Sequence, residues 1–193
     1  MTEPVRVAYL TGEYPRATDT WIQREVAGLR RRGVDVHTFS ARGTGDEHMV
    51  GPEQVAERGR TTYLVPRIVS HHVVVDHSVL LARSPRRYLA ALGLAWRTRR
   101  HGADGAFRQL MYFLEAGLLA AELHRRDLCH VHNHFADSSC TIAMLASQLG
   151  GGSFSFTVHG PAEHLAPEEW AIPEKLRRAA FCVCISNTIR RRV

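Results

Sequence analysis

The strongest constraint on the fold is a strand, a helix and a second strand that follow one another within residues 5–40. Residues 5–11 are rich in apolar side chains and stop at Gly12, which is typical of a strand. Residues 19–33 carry apolar side chains at helical spacing and end in three arginines and a glycine, as helix C-termini do. Residues 34–40 alternate again. This order predicts a βαβ unit with parallel strands and a right-handed crossover.

The rest of the chain repeats the alternation of strands and helices. Further strands are predicted at residues 61–66, 128–135, 153–158 and 180–185. Helical patterns fill residues 70–126, with breaks at Ser84–Pro85 and near Gly102 and Gly105 and a long helix over 106–126, and return at 137–149 and 172–180. Residues 41–60 are predicted to be an exposed connection. The order predicts a single domain over residues 1–193 with a Rossmann-like, doubly wound α/β fold, in which a mainly parallel sheet carries helices on both faces.

The composition is that of an ordinary globular domain, with 45% hydrophobic and 23% charged residues. The net charge of +6 favours an anionic partner, and charge alone leaves phosphate, nucleic acid and a lipid surface open. Aromatic residues are not interleaved with the arginines as in known nucleic-acid readers, so nucleic acid is not expected as a partner. No run of about 18 apolar residues and no signal-peptide pattern is present, which predicts a cytoplasmic protein, free or peripheral on the inner face of the cell membrane.

The four cysteines are interpreted as structural. Their spacing matches neither a disulfide framework nor a zinc ribbon, which needs paired CxxC-type spacing. Cys182 and Cys184 alternate along a predicted strand, so both should point to one face as small buried hydrophobic residues.

Residues 71–100 combine apolar side chains with six arginines. Together with Tyr88 and Trp96, this pattern is what an interfacial element that binds anionic lipid requires. The alternative is a helix whose apolar side packs on the sheet and whose arginines are solvated. The sequence leaves both interpretations open, and the first permits an alternative function as a non-catalytic peripheral membrane or ligand-binding α/β domain.

Function is expected in the loops at the carboxyl ends of the strands, because ligands bind at that edge of open parallel sheets. The pattern of residues 154–158 breaks at His159 and Gly160, which places a titratable ring at a strand end. With residues 11–20, 132–138 and 186–187, the loop at 159–164 should converge on one crevice. The alternative for His159 is a turn histidine without a partner.

The first of these loops lacks both a G-x-G-x-x-G and a G-x-x-x-x-G-K-[ST] sequence, so it supports neither a dinucleotide oxidoreductase nor a P-loop NTPase. Thr18, Asp19 and Thr20 present hydroxyls and helix-start amides that suit a phosphate or a sugar. Plain capping of the following helix by Asp19 or Thr18 explains the same residues equally well.

The histidines at the end of the fourth predicted strand permit a second chemistry. His130, His132 and His134 share one face of it, and the last two resemble the paired ligands of a strand-end metal hydrolase that Asp137 and His159 could complete. No further acidic ligand set with metal-like spacing is present, so no metal site is expected. No G-x-S-x-G sequence occurs, and Ser139 or Ser186 beside a histidine does not specify a triad.

Five segments in the same order resemble the N-terminal, GT-B domain of family 4 glycosyltransferases of the bacterial exopolysaccharide and lipopolysaccharide type. They span nearly the whole chain. The segments are Tyr14–Pro15–Arg16 with residues 18–22 and Glu25, residues 32–36, residues 130–136, residues 156–162, and residues 179–187 with Arg190.

The resemblance implies a retaining transfer of a sugar from a nucleotide-sugar donor to a hydroxyl of a glycan or lipid-linked acceptor, with no metal or other cofactor. His159 is then the catalytic residue, close to the transferred sugar. The substrate-binding residues are expected to be Arg16, Thr18, Asp19, Thr20, His134, Gly160, Ser186 and Asn187. The donor-binding domain of the family, with its Glu-x7-Glu motif, has no counterpart in the sequence. We therefore expect the chain to be a fragment, a truncated gene product or one part of a split enzyme, and to be inactive alone.

Overall fold

The computed structural model describes residues 4–160 and 168–192, and these form one six-stranded sheet. The strands are β1 (Arg6–Glu13), β2 (Asp35–Arg42), β3 (Thr62–Tyr63), β4 (His130–His134), β5 (Ser153–Val158) and β6 (Cys182–Cys184). Every neighbouring pair is parallel, and the strand order is β3-β2-β1-β4-β5-β6. The predicted Rossmann-like, doubly wound α/β fold is confirmed. The order reverses between β1 and β4, where such folds bind ligands.

Helices connect the strands. They are α1 (Thr20–Arg31), α2 (Pro52–Arg60), α3 (Val65–Ile68), α4 (His71–Arg83), α5 (Pro85–Arg97), α6 (Gly102–Arg125), α7 (Ser138–Gln148), α8 (Ile172–Arg178) and α9 (Asn187–Arg190), with a 3-10 turn at Asp46–His48. As predicted, the region between β3 and β4 is helical and breaks at Ser84–Pro85. None of the helices in the described ranges is long and apolar enough to cross a membrane.

The two faces of the sheet differ in how they are covered. One face, which we call the core face, carries Leu10, Val131 and Phe156 and packs with α6 and α7 in the main core. The opposite face carries Tyr9, His132 and Val183 in alternate positions, and we call it the open face. On that side α1 covers β1 and β2 through a smaller apolar cluster. Towards β6 the open face is exposed, at Phe181, Val183 and Ile185.

Two expectations for residues 41–66 are wrong in detail. Residues 41–60 contain α2 instead of being only a connection, because Pro52 suits a first helical turn and Gln54 is the buried contact. Apolar residues do not recur here at helical spacing, so the sequence does not indicate this helix. The third strand is limited to two residues, since Pro66 lies in the first turn of α3.

Several predicted ends of helices and strands differ from those in the structure. β1 passes Gly12 because Glu13 still pairs with Arg42 of β2. The long helix begins at Gly102 instead of at residue 106, and the fourth and last strands are each shorter than predicted. Asp137 caps α7, with its side chain accepting from the Ser139 amide. The loop prolines Pro161 and Pro167 lie outside the described residues.

The cysteines are all free thiols. Cys182 and Cys184 share one face of β6, as predicted, and both contact the main core. They are half-buried because β6 is an edge strand, whereas Cys140 in α7 is fully buried. Burial raises the pKa of the Cys182 thiol to about 12, so this thiol stays protonated and unreactive at neutral pH.

Candidate functional site

A pair of histidines lies at the carboxyl edge of the neighbouring strands β4 and β5. Nδ1 of His134 is 3.0 Å from Nε2 of His159. His134 pairs with Thr157 in the sheet, and His159 follows two residues later, at the point where β5 has ended. The parallel register therefore brings together two rings that are 25 residues apart in the sequence.

Phe135 is held beside this pair in a strained backbone conformation. Its φ of 73° lies in the left-handed region, which bulky side chains rarely adopt. The buried side-chain amide of Asn133 donates to the carbonyl oxygens of His134 and Phe135, at 3.0 and 2.5 Å, and so stabilises the turn. The Phe135 ring centroid is 5.0 Å from that of His159. Strain of this kind concentrates at binding sites, where the surrounding structure fixes it.

The first turn of α1 adds a third ring. Trp21 has its centroid 5.7 Å from His159 and 6.3 Å from Phe135. Its side chain is 41% exposed, although it contacts both rings. Trp21, Phe135 and His159 thus form an aromatic wall that remains accessible to a ligand.

Glu25 of α1 connects the histidines to Tyr9 of β1. The Tyr9 hydroxyl donates to Oε1 of Glu25 at 2.6 Å, and Oε2 of Glu25 is 3.8 Å from Nε2 of His134. That nitrogen is buried and has no hydrogen-bond partner among residues 4–160 and 168–192. The carboxylate is therefore the nearest charge to a buried, unpartnered ring nitrogen.

Burial keeps the histidine cluster neutral. Burial, together with the smaller effect of neighbouring histidines, lowers the pKa of His134 to about 3 and that of His132 to about 4. Burial also lowers the pKa of His159, while the charges of Glu25 and Asp19 oppose this shift. At neutral pH these rings act as hydrogen-bond donors and acceptors, not as cations.

The position of Glu25 favours one tautomer of the pair. A carboxylate facing Nε2 of His134 favours the proton on that nitrogen, so Nδ1 of His134 becomes an acceptor. His159 must then donate from Nε2, which leaves a lone pair on its Nδ1. No residue in the described part of the chain bonds to that Nδ1. The arrangement thus presents an acceptor atom to a ligand.

The cluster stands at one end of a groove of about 560 Å³ that follows the open face between α1 and β6. His132 lies in its floor, where its two nitrogens bond to the hydroxyls of Ser155 at 2.8 Å and Thr157 at 3.0 Å. Leu29 and Phe181 contribute apolar walls. The groove is therefore apolar at its sides, with neutral histidines in its floor and the Glu25 carboxylate in its lining.

The first loop surrounds Asp19 with polar groups. Thr18 Oγ1 donates to Asp19 Oδ1 at 3.2 Å, and Arg16 Nε is 3.9 Å from Asp19 Oδ2. Asp19 precedes α1, but its side chain makes no capping hydrogen bond, so the simple capping explanation is wrong. Thr20 lies on the side of α1 that faces α2, with Gln54 across the groove between them.

The remaining predicted residues are less clearly joined to the cluster. Gly160 follows His159 and is half-buried, and residues 161–164 lie outside the described residues. Ser186 caps α9 by accepting from the Ile189 amide at 3.2 Å, and Asn187 is exposed. Within the described ranges, no hydrogen bond or ion pair joins Ser186 or Asn187 to His159. Of the four loops expected to converge, those following β4 and β5 meet at the histidine pair, and on the β1 side the contacts come from Trp21 and Glu25 of α1.

Lys175 of α8 is a residue that the sequence did not reveal. Its side chain is fully buried, and Nζ donates to the carbonyl oxygens of Ala136 and Asp137, each at 2.7 Å. A Cβ atom on Gly12 would lie 3.8 Å from the Asp137 carboxylate, so the end of β1 meets the same turn. Lys175 therefore fixes the loop that follows Phe135. In the sequence, Lys-Leu-Arg-Arg is typical of a solvated helix surface.

Three side chains could approach a metal ion. Glu25, His132 and His134 each offer one ligand atom, and these atoms lie within 4.8 Å of one another. Two ligands of one zinc ion, each at about 2.0–2.1 Å from it, lie no more than about 4.2 Å apart. His132 would also have to give up a hydroxyl partner. The predicted participants Asp137 and His159 do not belong to this group of three.

No model of a known protein family and no curated protein matches this chain.

Proposed function

We propose that this chain is the acceptor-side domain of a retaining glycosyltransferase of the family 4, GT-B type. It would transfer a sugar from a nucleotide-sugar donor to a hydroxyl of a glycan or lipid-linked acceptor. The observation that supports this most directly is the neutral His134–His159 pair beside the rings of Trp21 and Phe135, at the carboxyl edge of β4 and β5.

A sugar matches the chemistry of this wall. A pyranose ring presents an apolar C–H face and a rim of hydroxyls, so it uses aromatic surface and hydrogen-bonding groups side by side. Trp21 and Phe135 offer the aromatic surface, and His159 Nδ1 offers the acceptor. Because the lowered pKa values keep the rings neutral, they suit a hydroxyl better than an anion.

His159 would hold a hydroxyl of the sugar or acceptor through Nδ1 and orient it for transfer. His134 holds the imidazole of His159 in place, since their hydrogen bond fixes both the ring plane and the tautomer. The first loop would lie by the diphosphate of the donor. Arg16 is the cation of this loop, where the carboxylates of Glu13 and Asp19 lie 3.8 and 3.9 Å from its guanidinium. Its buried Nε has no hydrogen-bond partner in the described part of the chain.

Sugar binding is tested by saturation-transfer NMR on the purified chain with a panel of nucleotide-sugars and short glycans. We expect signal transfer to sugar ring protons, and at least about a tenfold weaker affinity in His159→Ala, because one hydrogen bond to the ligand is lost. Trp21→Ala should weaken binding similarly. The matched controls are His101→Ala and Trp96→Ala, which change exposed residues outside the cluster.

Equal binding by wild type and His159→Ala would remove this residue from the site, and the absence of any sugar signal would contradict the proposal. Transfer itself is followed as incorporation of a labelled sugar into glycan in cells that carry the gene. Incorporation should stop in the His159→Ala strain and continue in the His101→Ala strain.

The group of Glu25, His132 and His134 supports one competing function, a metal-dependent hydrolase. Elemental analysis of the purified chain after incubation with zinc and gel filtration separates the two. The glycosyltransferase proposal expects substoichiometric metal that is unchanged in His132→Gln. One zinc per chain, lost in that variant, would favour the hydrolase.

A further inference from the structure

An apolar groove lies between α5 and α6, on the outside of the helical layer and away from the histidine cluster. It has a volume of about 730 Å³ and is lined chiefly by large apolar side chains. We call it the α5–α6 groove, and its exposed members are Leu89, Leu92, Trp96, Phe107 and Leu110. Leu89, Trp96 and Phe107 are each more than 60% exposed. Apolar patches of this kind mark interaction sites.

Packing within the domain does not account for these residues. α5 buries Ala91, Leu94 and Ala95 against the main core, and this is the apolar side that a surface helix needs. Leu89, Leu92 and Trp96 form a second apolar side that points outward. A helix that packs one apolar side on the domain and exposes only solvated arginines would therefore explain only half of the apolar residues in α5. Phe107 and Leu110 of α6 extend the patch beyond the residues 71–100 that the sequence suggested.

The charges on the α5 side of the groove have one sign. No acidic residue occurs between Asp76 and Asp104, a stretch that holds six arginines. Arg86 stands one helical turn before Leu89, and the Arg99 guanidinium lies 3.6 Å from the Trp96 ring centroid. Nη1 of Arg97 lies 3.6 Å from the point where a Cβ atom on Gly93 would stand, at the edge of the groove.

Three of these arginines form no ion pair with a carboxylate in the described part of the domain. Across residues 4–160 and 168–192, no carboxylate lies within 4 Å of Arg86, Arg97 or Arg99. Arg100 and Arg108, by contrast, pair with Glu169 and Asp104. The groove is thus an exposed apolar strip with unpaired guanidinium groups near both ends of α5.

We propose that the α5–α6 groove docks on the surface of an anionic lipid bilayer. The apolar side chains enter the boundary between headgroups and acyl chains, while the arginines contact lipid phosphates. Trp96 and its stacked Arg99 suit the depth at which amphipathic side chains concentrate. An anionic bilayer matches both the apolar strip and the arginines on the α5 side of the groove. The proposal is independent of the sugar site, so either one can fail alone.

Co-sedimentation with vesicles tests the charge. Wild type should bind vesicles of equal parts phosphatidylglycerol and phosphatidylcholine, bind pure phosphatidylcholine weakly, and be released by 0.5 M salt. Arg86→Glu/Arg97→Glu should bind the anionic vesicles at least about thirtyfold more weakly, from about 1 kcal/mol per basic residue. The matched control is Arg24→Glu/Arg32→Glu, which changes the same charge at two exposed sites of the α1 region.

Insertion is tested separately. Brominated lipid should quench Trp fluorescence of wild type and quench Trp96→Phe much less. Leu89→Gln/Phe107→Gln changes two exposed side chains, so its circular dichroism should match wild type while its vesicle binding falls.

Absence of sedimentation with anionic vesicles would overturn the proposal, as would an equal loss of binding in both charge-reversed variants. A dimer in analytical ultracentrifugation that becomes a monomer in Leu89→Gln/Phe107→Gln would also overturn it, since the occupant would then be a second copy of the chain.

Discussion

The proton between His134 and His159 is the smallest feature on which the proposed chemistry depends. Nitrogen-15 NMR shows which nitrogen of each ring carries the proton, because protonated and unprotonated imidazole nitrogens differ in chemical shift. Wild type at pH 7.5 should show both rings protonated at Nε2, so that His159 Nδ1 is an acceptor. Substituting Glu25→Gln removes the charge that favours this state, and mixed tautomers should appear.

A control for that experiment is Glu53→Gln, an exposed substitution of the same kind in α2. It should leave both tautomers unchanged. A wild-type spectrum with His159 protonated at Nδ1 would contradict the proposed role of Glu25, since the ring would then present a donor to the ligand.

The sequence predicts the elements best where a local pattern and a local stop signal coincide. β5 matches its predicted bounds because the alternation of residues 153–158 lies between glycines and the His159–Gly160 break. The helix α2 was missed because it buries mainly Gln54, so no apolar period marks it. The burial of Lys175 has no local sign in the sequence either, because it depends on carbonyl groups of a loop that is distant in the chain.

Lys175 should control the stability of the element that carries Phe135. Lys175→Met keeps the volume of the aliphatic stem but removes the donor to two carbonyl oxygens. We expect a loss of about 1–3 kcal/mol in the free energy of unfolding, measured by urea denaturation, because buried acceptors lose a charged partner. Arg177→Met on the same helix breaks an exposed pair with Glu174, and its cost should stay under about 1 kcal/mol. Equal costs for the two variants would show that the buried contact adds no stability.

At the scale of the whole molecule, the candidate site depends on distances that no local pattern encodes. The sequence placed His134 and His159 at neighbouring strand ends, because parallel order and strand boundaries were readable. It did not indicate that Tyr9, Trp21 and Glu25 reach the same cluster, since this depends on how α1 lies across β1. The exposure of the α5–α6 groove likewise follows from which side of α5 the main core occupies.

Two buried groups on opposite sides of the sheet change the free energy of unfolding in opposite directions as the pH falls. His132 has a folded-state pKa of about 4, well below its unfolded value, so the unfolded chain takes up the proton first as the pH falls. Each such ring costs about 2 kcal/mol of stability between pH 6.5 and pH 5. Glu115 of α6 acts in the other direction, because burial raises its pKa to about 7 even though Arg42 opposes the shift. Its carboxyl stays protonated in the folded state and so stabilises the fold as the pH falls from 7 towards 4.5.

Urea denaturation at pH 7.5 and pH 5.0 separates these contributions. Between the two conditions, His132→Gln should lose about 2 kcal/mol less stability than wild type, because one group that takes up a proton only on unfolding is absent. Glu115→Gln should lose about 2 kcal/mol more, because the group that favours the folded state in acid has gone. His101→Gln, at an exposed site, should follow wild type. If the two variants shifted in the same direction, the assignment of a neutral His132 and a protonated Glu115 to the folded state at pH 5 would be wrong.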